Sequence, residues 1–224
     1  MIRTTQDLSD RIAAELVWRR KELTDLRGLA QENRGELRSR VVIRSAVALL
    51  YAHWEGFVKK SSSYYLEYVS SNRLTYERLA PNFVALTLKA KFAELGSSEK
   101  VSAANAIAEF FCHGMNKQAN VPFRNVVDTK SNLSSKVLED IILALGLGGL
   151  DFSTRHHFID SKLVSVRNHV AHGEFLEVSL DDYLETHDTV MSMLETYRNS
   201  IENAAVLRTF ERVSAMAKDD RNIV

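Results

Sequence analysis

Apolar side chains recur along this 224-residue chain at the spacing of helical turns almost throughout. Leu8, Ile12, Leu16, Leu23 and Leu26 alternate with charged residues, which predicts an amphipathic helix over residues 4–33 with Thr5 or Ser9 at hand as a cap. Gly35 loosens the chain. Ile43, Val47, Leu50, Trp54 and Phe57 then predict a second long helix over 36–70, and Tyr51 and Val58 widen its apolar face. It is the strongest candidate for a core helix. Further helices are expected over 81–95, from Pro81 to a stop at Gly96, over 98–112, and over 134–145, where Gly146, Gly148 and Gly149 break the pattern. Residues 116–132, with Pro122 and several Asn, read as loop and as a candidate lid or partner-contact region. A helix over 154–171, closed by Gly173, precedes a last long one that starts at the capping run 179–182 and reaches about Arg212. Tyr183, Val190, Leu194, Tyr197 and Ile201 supply its stripe, and the polar tail 214–224 is expected to fray.

Composition agrees with an all-α chain, since only two prolines and nine glycines interrupt it. With 45% hydrophobic and 26% charged residues, the chain can build one globular core, and a single domain over 1–224 is expected, with 71–130 as an insertion. The 29 basic and 29 acidic residues cancel, so the broad basic footprint of a dedicated nucleic-acid binder is absent and any RNA contact must be local. Residues 1–60 hold a modest excess of 12 basic over 8 acidic side chains, read as a solvated helix face. Cys112 is the single cysteine, which excludes an intrachain disulfide and a thiolate zinc cluster and points to a reducing, cytoplasmic setting. No signal-peptide pattern and no run of membrane-spanning length is read from the sequence, so no membrane partner is expected.

One stretch suggests chemistry: Arg167-Asn168-His169-Val170-Ala171-His172, followed by Gly173. On a helix, Ile159, Leu163, Val166 and Val170 form one apolar stripe. At about 100° per residue, Arg167 then lies on the flank of the stripe, and Asn168 and His172 point together away from it. Arg167 and His172 diverge by roughly 140°, so one copy does not aim both at one atom, whereas two copies about a two-fold axis would offer each other an Arg and a His. Spacing alone leaves two readings open. Either these groups serve catalysis, or Arg167 pairs with a carboxylate such as Asp160 and His172 only caps the helix. His169, on the other flank, is expected to be a partly buried packing residue that is also a candidate for lining the site.

Other chemical features read as structural. His156 and His157 diverge on a helix, so a shared metal is not expected. Cys112-His113 reads as a buried inert thiol beside its neighbour. Tyr64, Tyr65, Tyr68, Phe110 and Phe111 read as core aromatics. The Arg19-Arg20-Lys21 cluster reads as a solvated face, and as the first place to seek phosphate contacts outside the cleft. His53 is given no role. The glycines at 146–149 lack the Lys-Ser/Thr of a phosphate loop.

In the form Arg-Asn-x-x-Ala-His-Gly, with the preceding Ile-Asp-x-x-Leu-Val-x-x-Arg frame, this stretch resembles the Arg-polar-x3-His signature of the HEPN superfamily, and is similar to its toxin-like ribonuclease branch. The Tyr51-Ala52-His53-Trp54-Glu55-Gly56-Phe57 run resembles the helix that precedes the signature there. The resemblance implies a HEPN-like helical bundle carrying a helical insertion, and a metal-independent endoribonuclease of toxin-antitoxin or antiphage-defence type that needs no cofactor. Its active site would be shared across a homodimer. Arg167 would clamp the phosphate, His172 would act as base or acid, and Asn168 would hold His172 or the phosphate. Glu55, His169 and Asp160 are further candidates. It also implies an RNA substrate and a partner protein such as an antitoxin. The alternative is a silent nucleotide-binding or assembly module of a defence or toxin-antitoxin complex. One departure stands out: the tyrosine that this branch often carries two positions after its histidine, where modification silences it, is Glu174 here.

Overall fold

A computed structural model describes residues 1–36, 38–95 and 101–212, and the side chains of 90–95, 102 and 103 are left aside. The described residues are all-α. Seven helices follow one another: α1 (Thr5–Glu32), α2 (Ser39–Ser71), α3 (Pro81–Leu95), α4 (Val101–His113), α5 (Ser135–Leu145), α6 (Val166–Ala171) and α7 (Leu180–Val206). The expected helix stop at Gly96, the start at Ser98 and the tail 214–224 lie outside the described residues.

Each boundary has a local cause. At the start of α1, the Thr4 side chain accepts from the Asp7 N–H while the Asp7 carboxylate accepts from the Thr4 N–H. This reciprocal cap displaces Thr5 and Ser9, because only Thr4 holds extended backbone one residue before the first turn. Ser134 and Ser179 cap α5 and α7 one-way, each hydroxyl accepting the N–H of the residue three further on, and Gly146, at φ +66°, ends α5 in a left-handed turn.

The three long helices form the bundle. Leu8, Ile12, Leu16 and Leu23 of α1 meet Ile43, Val47, Leu50, Trp54 and Phe57 of α2 and Tyr183, Val190, Leu194, Tyr197 and Ile201 of α7 in one core. Trp54 stands edge-on to both Tyr197 and Phe152, so α2 is fixed to α7 and to the segment entering the motif at one residue. Tyr197 also shares a 2.6 Å hydrogen bond with Ser62, and its burial pushes its phenol pKa up. By length and composition α2 is apolar enough to cross a bilayer, against the expectation that no run reaches membrane-spanning length. Half of that window is buried in the protein, as the burial of a central core helix requires.

Four sequence expectations change. Arg19 is not on a solvated face: only 6% exposed, it pairs with Glu15 at 2.9 Å and stacks on Trp18. Arg20 meets Glu195 of α7. Phe111 is half exposed and Cys112 is exposed, because α4 buries only the face that carries Phe110. His53 is enclosed at 4% exposure between Trp18, Arg19 and Glu22. Its Nε2 lies 2.9 Å from a Glu22 oxygen, close enough for an ion pair on protonation but not aligned as a hydrogen bond.

Burial first, then the Arg19 charge, lowers the His53 pKa against the opposing pull of Glu22. The unfolded chain therefore binds the proton before the folded one does, and stability falls as pH drops below the ordinary imidazole range, levelling off under the folded pKa. Urea denaturation between about pH 7 and pH 5 should show this loss, and His53→Gln should flatten it. An unchanged slope in the variant would remove His53 as its source.

Candidate functional site

The motif is carried by a helix whose pitch changes midway. After a 3-10 turn at Ser153–Arg155, Phe158–Ser165 is π-helical and runs without a break into α6. Wider π turns shift the facing of every later side chain relative to a uniform α-helix. Ile159 and Leu163 are fully buried as the apolar stripe predicts, whereas Val166 and Val170 are only partly covered.

Three contacts fix this helix. Both oxygens of Asp160 are taken by Ser135 at the start of α5, one by its N–H at 2.8 Å and one by its hydroxyl at 2.6 Å. Lys162 reaches Asp182 at the start of α7. Downstream, Arg44 of α2 donates to the Glu174 carbonyl at 2.8 Å and to the Leu176 carbonyl at 3.2 Å. The pairing of Arg167 with Asp160, open on spacing alone, does not occur. Asp160 is exposed and ties two helices together.

Arg167 is instead held by neutral groups. Its Nη1 donates to Asn132 Oδ1 at 2.8 Å and to Asn168 Oδ1 at 2.9 Å, and its guanidinium carbon lies 5.2 Å from the centre of the Tyr51 ring on α2. Nε and Nη2 have no partner among the described residues. One nitrogen and one face of the fork are thus fixed and the opposite edge is open. Fixing the fork with amide oxygens and a ring, in place of a carboxylate, leaves its full charge for an anion.

Tyr51 joins this group to Glu55. Its hydroxyl accepts the buried Leu133 N–H at 2.7 Å, and the Glu55 carboxylate one turn along α2 acts on it electrostatically. Burial, then the Glu55 charge, raises its pKa to about 12 against the Leu133 bond and the Arg167 charge, so at neutral pH it is a phenol. Tyr51 and Asn132 were not singled out as site residues in the sequence. Tyr51 sits at the edge of a stripe already explained by packing, and Asn132 lies in a loop 35 residues before the arginine it meets. A tyrosine one turn before Glu55, on the helix resembling the family's, was the available signal.

His172 is the last residue of the helical turn. Its N–H donates to the Asn168 carbonyl at 2.9 Å, and the following residues close the end: Gly173, at φ +72°, donates to Val170, and Glu174 donates to His169. The exposed His172 ring has no hydrogen-bond or ion-pair partner among the described residues. Asn168 serves Arg167 with its side chain and His172 only with its backbone. His169 is half-buried, and its Nδ1 donates to the Ser165 carbonyl at 2.7 Å, which turns Nε2 toward Glu174, 3.5 Å away. The structure therefore gathers Arg167, Asn168, Asn132, Tyr51 and Glu55, and places His172 just beyond them with its ring unengaged. Among the described residues, no group of three or more His, Cys, Asp or Glu side chains is arranged to hold a metal ion.

Residues 14–203 match the family described as RiboL-PSP-HEPN. The chain belongs to that family, a member of the HEPN superfamily, whose domains are generally associated with ribonuclease activity. No curated protein and no solved structure matches it.

Tyr51→Phe keeps the ring under Arg167 but leaves the Leu133 N–H buried without its acceptor. The variant should lose about 1–3 kcal/mol of stability in urea unfolding, and the Leu133 amide should exchange faster with solvent. Wild-type stability and protection in Tyr51→Phe would mean that this bond does not hold the loop.

Proposed function

We propose that this protein is a metal-independent endoribonuclease of the toxin or antiphage-defence type, working from a site completed by a second copy of the chain. The observation that carries the reading is the unpartnered edge of Arg167, held in place by Tyr51, Asn132 and Asn168, with the unpartnered His172 ring at the end of the same short helix. A fork fixed in this way suits two non-bridging oxygens of one phosphate. An imidazole, whose ordinary titration spans neutral pH, can take the proton from a ribose 2′-hydroxyl or supply one to the leaving 5′-oxygen. The 2′-oxygen then attacks the phosphorus and the bond to the 5′-oxygen breaks. The products are a 2′,3′-cyclic phosphate and a 5′-hydroxyl.

Both proton transfers need an imidazole, one as base and one as acid. Arg167 and His172 are five residues apart on one short helix and diverge, and two chains facing each other supply two of each around one groove. In this scheme Asn168, Asn132 and Tyr51 position Arg167, and Glu55 acts through Tyr51. His169 supports the helix end and Asp160 anchors the helix. The reading carries with it an RNA substrate, a cytoplasmic setting and a neutralising partner protein such as an antitoxin. A second reading, a silent nucleotide-binding or assembly module, is favoured by Glu174, whose carboxylate puts negative charge beside His169 where RNA would approach.

Purified protein incubated with mixed RNAs in EDTA should cleave them and leave 2′,3′-cyclic phosphate ends. His172→Ala should lower the rate by about 10²- to 10⁴-fold, with Arg167→Ala similarly impaired. Undiminished cleavage by His172→Ala would contradict the scheme, and a wild type that binds nucleotides without cutting RNA would establish the second reading.

A further inference from the structure

The far end of α2 carries a second polar cleft that the motif does not use. An open cavity of about 480 Å³ lies there, lined by Arg3, Arg73, Gln118, Asn120 and Phe123 among others. Its wall is a fixed one. The Ala119 N–H donates to Leu74 at 2.7 Å, the Tyr76 N–H to Lys117 at 3.2 Å and the Glu77 N–H to Met115 at 2.9 Å, while the Asn120 N–H is held by the Tyr76 hydroxyl at 3.1 Å. These bonds hold the wall in place, and the side chains of Gln118 and Asn120 are left exposed without partners among the described residues.

Charge at this cleft favours an anion. The side chains of Arg3 and Arg73 are exposed and have no carboxylate partner among the described residues. Glu67, on the same wall, accepts the Ile2 N–H at 3.1 Å and has its charge offset by the Met1 ammonium 3.6 Å away. The end of a helix normally presents unpaired carbonyls that repel phosphate. Here the Tyr68 carbonyl is taken by the Ser71 hydroxyl and the Asn72 amide, and the Val69 and Ser70 carbonyls by the Asn72 and Arg73 N–H groups. Phe123 adds a half-buried ring, with Arg124 over it at 5.6 Å.

We propose that this cleft binds a segment of single-stranded RNA, with Arg3 and Arg73 on its phosphates, Phe123 stacking against a base, and Gln118 and Asn120 facing base edges. Two free guanidiniums, an aromatic ring and two unengaged amides are the set that an unpaired strand uses and a duplex, with its bases stacked inside, does not. Ser70 at the cleft lies about 22 Å along α2 from Glu55 and within about 60° of it around the helix. A strand of roughly six or seven stacked nucleotides, at about 3.4 Å each, spans that distance. The inference rests on the ribonuclease reading for its ligand. It concerns a different place, and it gives the protein a local hold on RNA that its zero net charge does not supply.

Binding is measured on full-length His172→Ala, so that cleavage does not interfere, with fluorescein-labelled oligouridylate of about eight nucleotides followed by anisotropy. The double variant Arg3→Ala/Arg73→Ala should weaken binding at least about tenfold and lower the salt slope by about 1.4. Phe123→Ala should weaken it by about five- to a hundredfold, and a duplex RNA of equal length should bind more weakly than the single strand. Arg3 and Arg73 are exposed and Phe123 is half-buried against the core, and circular dichroism melts check that the variants fold. No binding, binding indifferent to the three residues, or equal binding of the duplex would overturn the proposal. Cleavage by the wild-type protein is read separately, so loss of the nuclease reading and loss of this site are distinct results.

Discussion

A guanidinium resting on a phenol ring, with one nitrogen shared between two amide oxygens, is the contact on which the chemistry proposed for the motif depends. Arg167 would otherwise be a long side chain with many rotamers on a short last turn. Tyr51 fixes its plane, Asn132 and Asn168 fix its rotation, and neither acts by neutralising it. A carboxylate in the place of the asparagines would hold the arginine as firmly and cancel the charge that a phosphate is drawn to. The nearest acidic residue on the motif helix, Asp160, has both oxygens committed to Ser135 and so leaves that charge intact.

The bundle serves this contact mainly through α2. Its middle turns are gripped by Trp54 against Phe152 and Tyr197, and this sets the height and facing of Tyr51 and Glu55. On the other side of α2, Gly56 has no side chain because the Arg19 guanidinium lies 3.1 Å from where a Cβ would stand. The buried Arg19 with its Glu15, Trp18 and His53 neighbours thus packs α1 tightly onto the back of the helix that carries the site at its front. The same helix ends at the polar cleft of Arg3, Arg73 and Phe123, so one rod connects the two places where an RNA strand would be held.

Much of this is legible in the amino-acid sequence itself. Long helices announce themselves by apolar spacing, and α3 runs over the expected residues because Pro81 suits a first helical turn and cannot sit inside one. The family was legible in Arg167, Asn168, His172 and Gly173, whose order survives any change of helical pitch. What the pattern hid were effects that need a partner from elsewhere in the chain. The π turns of 158–165 leave no mark in a count of apolar residues. Tyr51 looked like packing because a tyrosine buries its ring whether or not its hydroxyl is employed, and Asn132 meets Arg167 only once the loop before α5 is placed. Arg19 reads as solvated from the sequence because His53 and the rest of α2, which close over it beside its own-helix neighbours Glu15 and Trp18, arrive only when α1 and α2 pair.

The central claim is that the unpartnered edge of Arg167 is a prepared seat for a scissile phosphate. A crystal structure of the protein with an RNA oligonucleotide made uncleavable by a 2′-deoxy substitution tests this most directly. The account predicts phosphate oxygens about 2.7–2.9 Å from Nε and Nη2, with Nη1 still on Asn132 and Asn168, and a His172 ring, from either subunit, beside the substituted sugar. A bound strand with its phosphates elsewhere, or an Arg167 swung off Tyr51, would contradict it.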